Sequence, residues 1–246
     1  MNEVDKDKVI ETNKYLIDKL VQEGLKIISD NYKVKEETVG EYSRLNIQGR
    51  ECCIKQYEIE KFGNLFIMEC KDSNNIQLFT FVITPYYKEI PLFSADYLFI
   101  QQIRNSIIEY YDLVKHKNEE YLQYVNKFQS IKDKYGMLKD MDLKESWDEK
   151  LKTIYIAKSS DVSMDNKIIN MFSENLKMYV DMEKFTDFLR EWKCEIQYQI
   201  IEKYINELIK KGGVSTDIFK LSLGEEKTRE FFNKVLFSTE RYNKWS

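Results

Sequence analysis

Hydrophobic and polar positions change period twice along the chain. Val9, Tyr15, Leu16, Leu20, Leu25 and Ile28 recur at near-helical spacing within residues 6–29, which predicts an amphipathic helix. From about residue 36 to 112 the pattern is strand-like. LFIMECKD (65–72) and IQLFTFVIT (76–84) are separated by Asp72-Ser73-Asn74-Asn75, a turn signal. FSADYLFIQQ and NSIIEYYDL follow, with a turn expected near Arg104-Asn105. Connections this short imply antiparallel pairing.

In 76–83 one face carries Ile76, Leu78, Thr80 and Val82, and the other Gln77, Phe79, Phe81 and Ile83. Both faces are mainly apolar, so both are expected to be covered by helices. The helical period returns after residue 117. Its clearest stretch is 182–211, where Phe185, Phe188, Leu189, Trp192, Ile196, Ile200, Tyr204 and Leu208 form one stripe. EEKTREFFNKVLF (225–237) reads as a last helix. The expected fold is a three-layer α/β/α sandwich with a central antiparallel sheet.

Composition narrows the picture. The 246 residues include only 8 Gly and 2 Pro and no linker-like stretch, so one domain over 1–246 is expected. A net charge of -4 argues against a nucleic-acid partner. Apolar runs are a few residues long, far short of the ~20 that a membrane-spanning helix needs. The start, MNEVDKDKVIE, lacks an apolar signal core, so a cytoplasmic protein is expected. A monomer is expected too.

Candidate chemistry is sparse. Cys52, Cys53, Cys70 and Cys194 form no CxxC pair, and Cys52 and Cys53 are too close in sequence for a comfortable disulfide. His116 is the single histidine, so a zinc site, a histidine-ligated haem or a Ser-His-Asp triad is not expected. No phosphate-binding glycine loop occurs; Gly212-Gly213 reads as a helix end.

Three strand-like segments each place a polar residue among apolar ones on one face. They are Glu69 with Leu65 and Ile67, Thr80 with Leu78 and Val82, and Asp96 with Leu98. A buried carboxylate costs several kcal/mol unless paired, and otherwise takes up a proton. Spacing leaves two readings open: a shared pocket containing two proton-donating acids, or separate strand acids paired with lysines.

A resemblance bears on this choice. FVITPYYKEIPLFSADYLFI (81–100) resembles a segment of the ferredoxin-dependent bilin reductases, with Pro85, Pro91, Phe93 and Asp96 matching. LGEEKTREFFNKVLF (223–237) resembles that family's closing helix, and ESWDEKLKTIYIA (145–157) the stretch before another pocket strand. The similarity runs in register from about residue 40 to 238.

The resemblance implies an α/β/α sandwich that reduces a linear tetrapyrrole such as biliverdin, as in phycobilin biosynthesis. It implies no bound cofactor and no metal, with electrons supplied by an external [2Fe-2S] ferredoxin and protons by the protein. Asp96 would be the catalytic acid and Glu69 the pocket glutamate. Asp181 would be a second, helix-borne aspartate, with Asp187 as a competing register. Thr80, Phe93, Ser94 and Trp147 would contact substrate, although Trp147 reads equally well as a core residue. Arg104 or lysines would meet the propionates, and Lys203, Lys210 and Lys211 would dock ferredoxin. Thr80 stands at the family's histidine position and Ser94 at its glycine, while GGVST (212–216) lacks a polar anchor. Two further readings are a non-catalytic bilin-binding protein and a reductase of an opened chlorophyll catabolite.

Overall fold

The computed structural model describes residues 3–71, 76–143 and 146–243. The turn signal at 72–75 and Glu145 of the ESWDEK stretch lie outside the described residues. Helix α1 (Glu3–Ser29) leads into β1 (Val34–Glu37), β2 (Arg44–Ile47), β3 (Arg50–Ile59), β4 (Gly63–Cys70), β5 (Ile76–Pro85), β6 (Leu92–Ile100) and β7 (Ile103–Tyr111). Helix α2 (Glu119–Lys134), β8 (Lys139–Asp140) and β9 (Lys152–Asp161) come next. The chain closes with α3 (Asp165–Phe185), α4 (Glu191–Lys211), α5 (Val214–Leu223), α6 (Glu225–Phe231) and α7 (Thr239–Tyr242).

The strands form one antiparallel sheet in the order β1-β3-β4-β5-β6-β7-β9-β8, with β2 also pairing β3. Helices α1, α2 and α3 bury one face in an aromatic cluster. There Phe172 meets Phe79 and Phe81 edge-on, at ring separations of 5.9 and 5.4 Å. A Cβ at Gly24 of α1 would lie 2.8 Å from the Phe81 ring, so glycine lets that helix settle against the sheet. Helices α4 to α7 pack on the opposite face against Phe66, Val82, Leu92 and Tyr111. The layers are those of the expected α/β/α sandwich.

Local details differ from expectation for identifiable reasons. The turn between β6 and β7 falls at 101–102, earlier than Arg104-Asn105, and Gln101 takes it up with φ +54°. Arg104 is then fully buried, its Nε donating to Asp165 at 2.8 Å, so it faces no propionate. The stripe read over 182–211 is broken, because the chain leaves helix between Phe185 and Glu191. Phe185, Phe188 and Trp192 are exposed, and α4 instead buries Cys194, Tyr198, Ile201, Tyr204, Ile205 and Ile209. That face lies about one residue, roughly 100°, around the helix from the expected one. Gly212 closes α4 with φ +77°, as its sequence suggested. Cys52 and Cys70 are joined by a disulfide between β3 and β4, a pairing not read from the sequence.

Candidate functional site

The site is built by strand alternation. Along β5 and β6, Phe79, Phe81, Ala95, Tyr97 and Phe99 are buried against α1 to α3. Leu78, Thr80, Asp96 and Leu98 point the other way and are only partly covered. On that face α4 to α7 pack over the end of the strands bearing Val82, Leu92 and Tyr111, leaving the other end half-open. The result is an apolar surface with one carboxyl group near its middle.

Asp96 is directly opposite Thr80 across the β5–β6 pair, and opposite Ile107 on β7. Thr80 Oγ1 donates to Asp96 Oδ1 at 2.6 Å, and Ser94 Oγ donates to Oδ2 at 3.1 Å. Burial penalises the charged form and lifts the Asp96 pKa to about 6; the nearby Glu109 charge adds to the rise, while the two hydroxyls oppose it. An acid titrating there can carry a proton close to neutral pH and release it to a stronger base.

A second polar group adjoins it. Glu109 lies across from Ser94 on β7 and accepts a hydrogen bond from the Tyr111 hydroxyl at 2.9 Å. Lys152 Nζ stands 2.8 Å from Glu109 Oε1, 3.6 Å from Glu149 and 3.9 Å from Asp148. Burial works against the lysine's charge, but these carboxylates outweigh it and raise its pKa. The Tyr204 ring from α4 lies 5.3 Å from that of Tyr111, and the Trp147 ring 6.2 Å from Tyr204. Trp147 donates its ring N–H to the Gly212 carbonyl at 2.8 Å, which fixes it as a wall of this corner.

Three expected site residues are elsewhere. Glu69 is opposite Phe79, not Thr80, so its side chain is on the α1 face of the sheet. It pairs there with Lys71 at 2.9 Å and Lys55 at 3.6 Å, and Lys71 also holds Asp18 of α1. The residue of β4 that opposes Thr80 is Met68; a step of one position exchanges the faces of a strand. Phe93 shares the α1–α3 face and packs on Phe81, Tyr110 and Tyr179, so it is core and contacts no ligand at Asp96. Asp181 is an exposed residue of α3, across the sheet from Asp96, with Lys184 at 4.0 Å.

Thr80, Ser94, Asp96 and Trp147 do lie on one side of the sheet. Lys203 and Lys210 are exposed on α4, and Lys211 places its ammonium 4.6 Å from the Trp147 ring centre. Asp187 borders a separate cavity of about 230 Å³ that is also lined by Glu89, His116, Phe185 and Phe188. Glu109, Lys152 and Tyr111 escaped the sequence reading, and Tyr204 entered it only as part of a helix stripe. Glu109 carried the same signal as Asp96, a lone acid in an apolar strand. Among the described residues no cluster of three or more His, Cys, Asp or Glu is arranged to hold a metal, and no helix is long and apolar enough to cross a membrane.

Comparison with known proteins agrees with this architecture. No family model matches the chain. It is 25% identical over 173 residues to a 15,16-dihydrobiliverdin:ferredoxin oxidoreductase of Prochlorococcus marinus, covering 67% of this chain and 71% of the relative. A homologue of the same description from a second strain is 24% identical over 197 residues, covering 76% and 81%. Tomato phytochromobilin synthase, solved in complex with biliverdin, superposes with a TM-score of 0.76 at 14% identity. That match covers 93% of this chain and 84% of the synthase. The fold is shared with that synthase, and the relatives bear out the resemblance to ferredoxin-dependent bilin reductases.

Proposed function

We propose that the chain is a ferredoxin-dependent oxidoreductase that reduces a linear tetrapyrrole, with Asp96 as proton donor. The observation that carries this reading is the Asp96 carboxyl itself. It is held by two hydroxyls, poised to be protonated near pH 6, and set on a half-open apolar face. Biliverdin or 15,16-dihydrobiliverdin would lie on that face, between the sheet and α4. Each electron from ferredoxin makes the bilin more basic. Asp96 then passes its proton to the lactam or pyrrole system, neutralising the added charge. A two-electron reduction takes up two protons in this way, Asp96 recovering its own from solvent between steps. Thr80 and Ser94 orient the carboxyl, and Trp147 bounds the site.

Ferredoxin would dock on α4 at Lys203, Lys210 and Lys211. The contact between Lys211 and Trp147 links that surface to the wall of the site. Replacing Lys210 and Lys211 should weaken the coupling to ferredoxin and flatten its salt dependence.

Anaerobic incubation of the protein with each bilin, ferredoxin and a reducing system tests the proposal. A progressive change of the bilin spectrum that requires ferredoxin is expected. A stable bound spectrum without turnover would instead indicate a bilin-binding protein, the reading favoured by threonine and serine at positions 80 and 94.

A further inference from the structure

Glu109 and Lys152 have no part in the mechanism above, yet they are among the most costly groups in the fold. Both side chains are about nine-tenths buried, at 11% and 8% exposure, and a buried ion pair is stabilising only when well satisfied. The surroundings satisfy Glu109 closely: Lys152 and Tyr111 each bind a different one of its carboxylate oxygens. Such an arrangement gives the Glu109 carboxylate a fixed orientation.

Its location gives that carboxylate a target. Ser94 lies directly across from Glu109, and the Ser94 hydroxyl is bonded to Asp96. Asp96 is therefore the diagonal neighbour of Glu109 on the same sheet face, a separation of about 7–8 Å between the pairs. Among the described residues, the charged or titratable groups around the two acids include Tyr97 on β6, Tyr204 from α4, Tyr111 on β7, Lys152 on β9, and Asp148 and Glu149 just before it. Lys152 is the one cation in that set.

We propose that Glu109, fixed by Lys152 and Tyr111, is a positioning residue that keeps the proton on Asp96 until the reacting ligand removes it. This rests on Asp96 being the acid of the reduction. Glu109 itself transfers no proton. Its charge makes the ionised form of Asp96 unfavourable, and Lys152 limits how far that effect extends. The two residues therefore act on Asp96 with opposite signs, and a purely structural pair would not.

The test is a titration of ligand-free protein, read by carbon-13 NMR of labelled aspartate carboxyls. Loss of one resonance in Asp96→Asn assigns the signal. Glu109→Gln should lower the Asp96 midpoint by about 0.4–1 unit, the effect of one charge at this range in a partly aqueous medium. Lys152→Gln should raise it, and Lys152→Arg should restore it. Midpoints that move in the same direction in Glu109→Gln and Lys152→Gln, or do not move, overturn the proposal. If Lys152→Gln does not fold, Glu109→Gln decides alone, since it preserves shape. No bilin enters the measurement. A wild-type protein that titrates as expected but never changes a bilin spectrum refutes the reductase reading only.

Discussion

The two faces of the sheet use the same strands to opposite ends. Toward α1, α2 and α3, Phe79, Phe81, Phe93, Tyr97 and Tyr110 interlock with Phe172 and Tyr179, and almost nothing there meets water. Toward α4, the intervening residues include Thr80, Ser94, Asp96 and Glu109, and the surface is left partly open. One face is optimised for packing; the other retains buried polar groups that packing alone would not favour. A stable fold tolerates the second because the first is so complete.

The sharpest way to break this division is to damage the packed face. Phe81→Ala should cost about 3–5 kcal/mol of stability, measured by denaturant unfolding, because it opens a cavity among rings that cannot collapse inward. Loss of activity in that variant should follow loss of fold. Asp96→Asn should do the reverse. Turnover should fall 10²-fold or more, the usual contribution of a positioned acid. Stability at pH 8 should rise by up to about 3 kcal/mol, because the ionised carboxyl is costly where it lies. An Asp96→Asn protein with normal turnover would remove Asp96 from the chemistry.

The pH dependence sharpens the comparison further. The folded state holds the Asp96 proton up to about pH 6, whereas the free side chain loses it near 3.8. Native protein thus binds more protons than unfolded protein between those values, and this contribution to stability is lost as pH rises through them. The gain from Asp96→Asn should therefore vanish below the lower value. Turnover that needs the protonated acid should decline about tenfold per unit above pH 6 once chemistry limits the rate. The smallest expected effect belongs to Glu69→Gln. Glu69 is on the packed face with Lys71, so bilin turnover should stay within about twofold of the parent. A large loss would place Glu69 back in the chemistry.

Much of this division was legible in the sequence. Alternation along 76–83 and 91–100 gave the sheet, and a lone aspartate in PLFSADYLFI marked the site. What alternation could not give was the phase of one strand against the next. Glu69 is a single position from the residue that faces Thr80, and only the β4–β5 register decides between them. The same limit hid the face on which Phe93 lies. Helix α4 was misjudged because its apolar residues cover more than one stripe, leaving the choice to tertiary packing. Lys152 gave no signal at all. A lysine in a strand reads as a surface residue until three carboxylates are seen to surround it.

The Cys52–Cys70 bond has a consequence of another kind. It closes a loop of 18 residues, a constraint worth about 3 kcal/mol against unfolding. In a compartment that keeps thiols reduced, the same positions would stand as two separate sulfhydryls. The disulfide and dithiol forms would differ by a pair of hydrogen atoms and in resistance to heat. A thiol count on freshly lysed cells, made before air reaches the sample, would show which form the cell maintains, and with it the redox character of the place where the protein works.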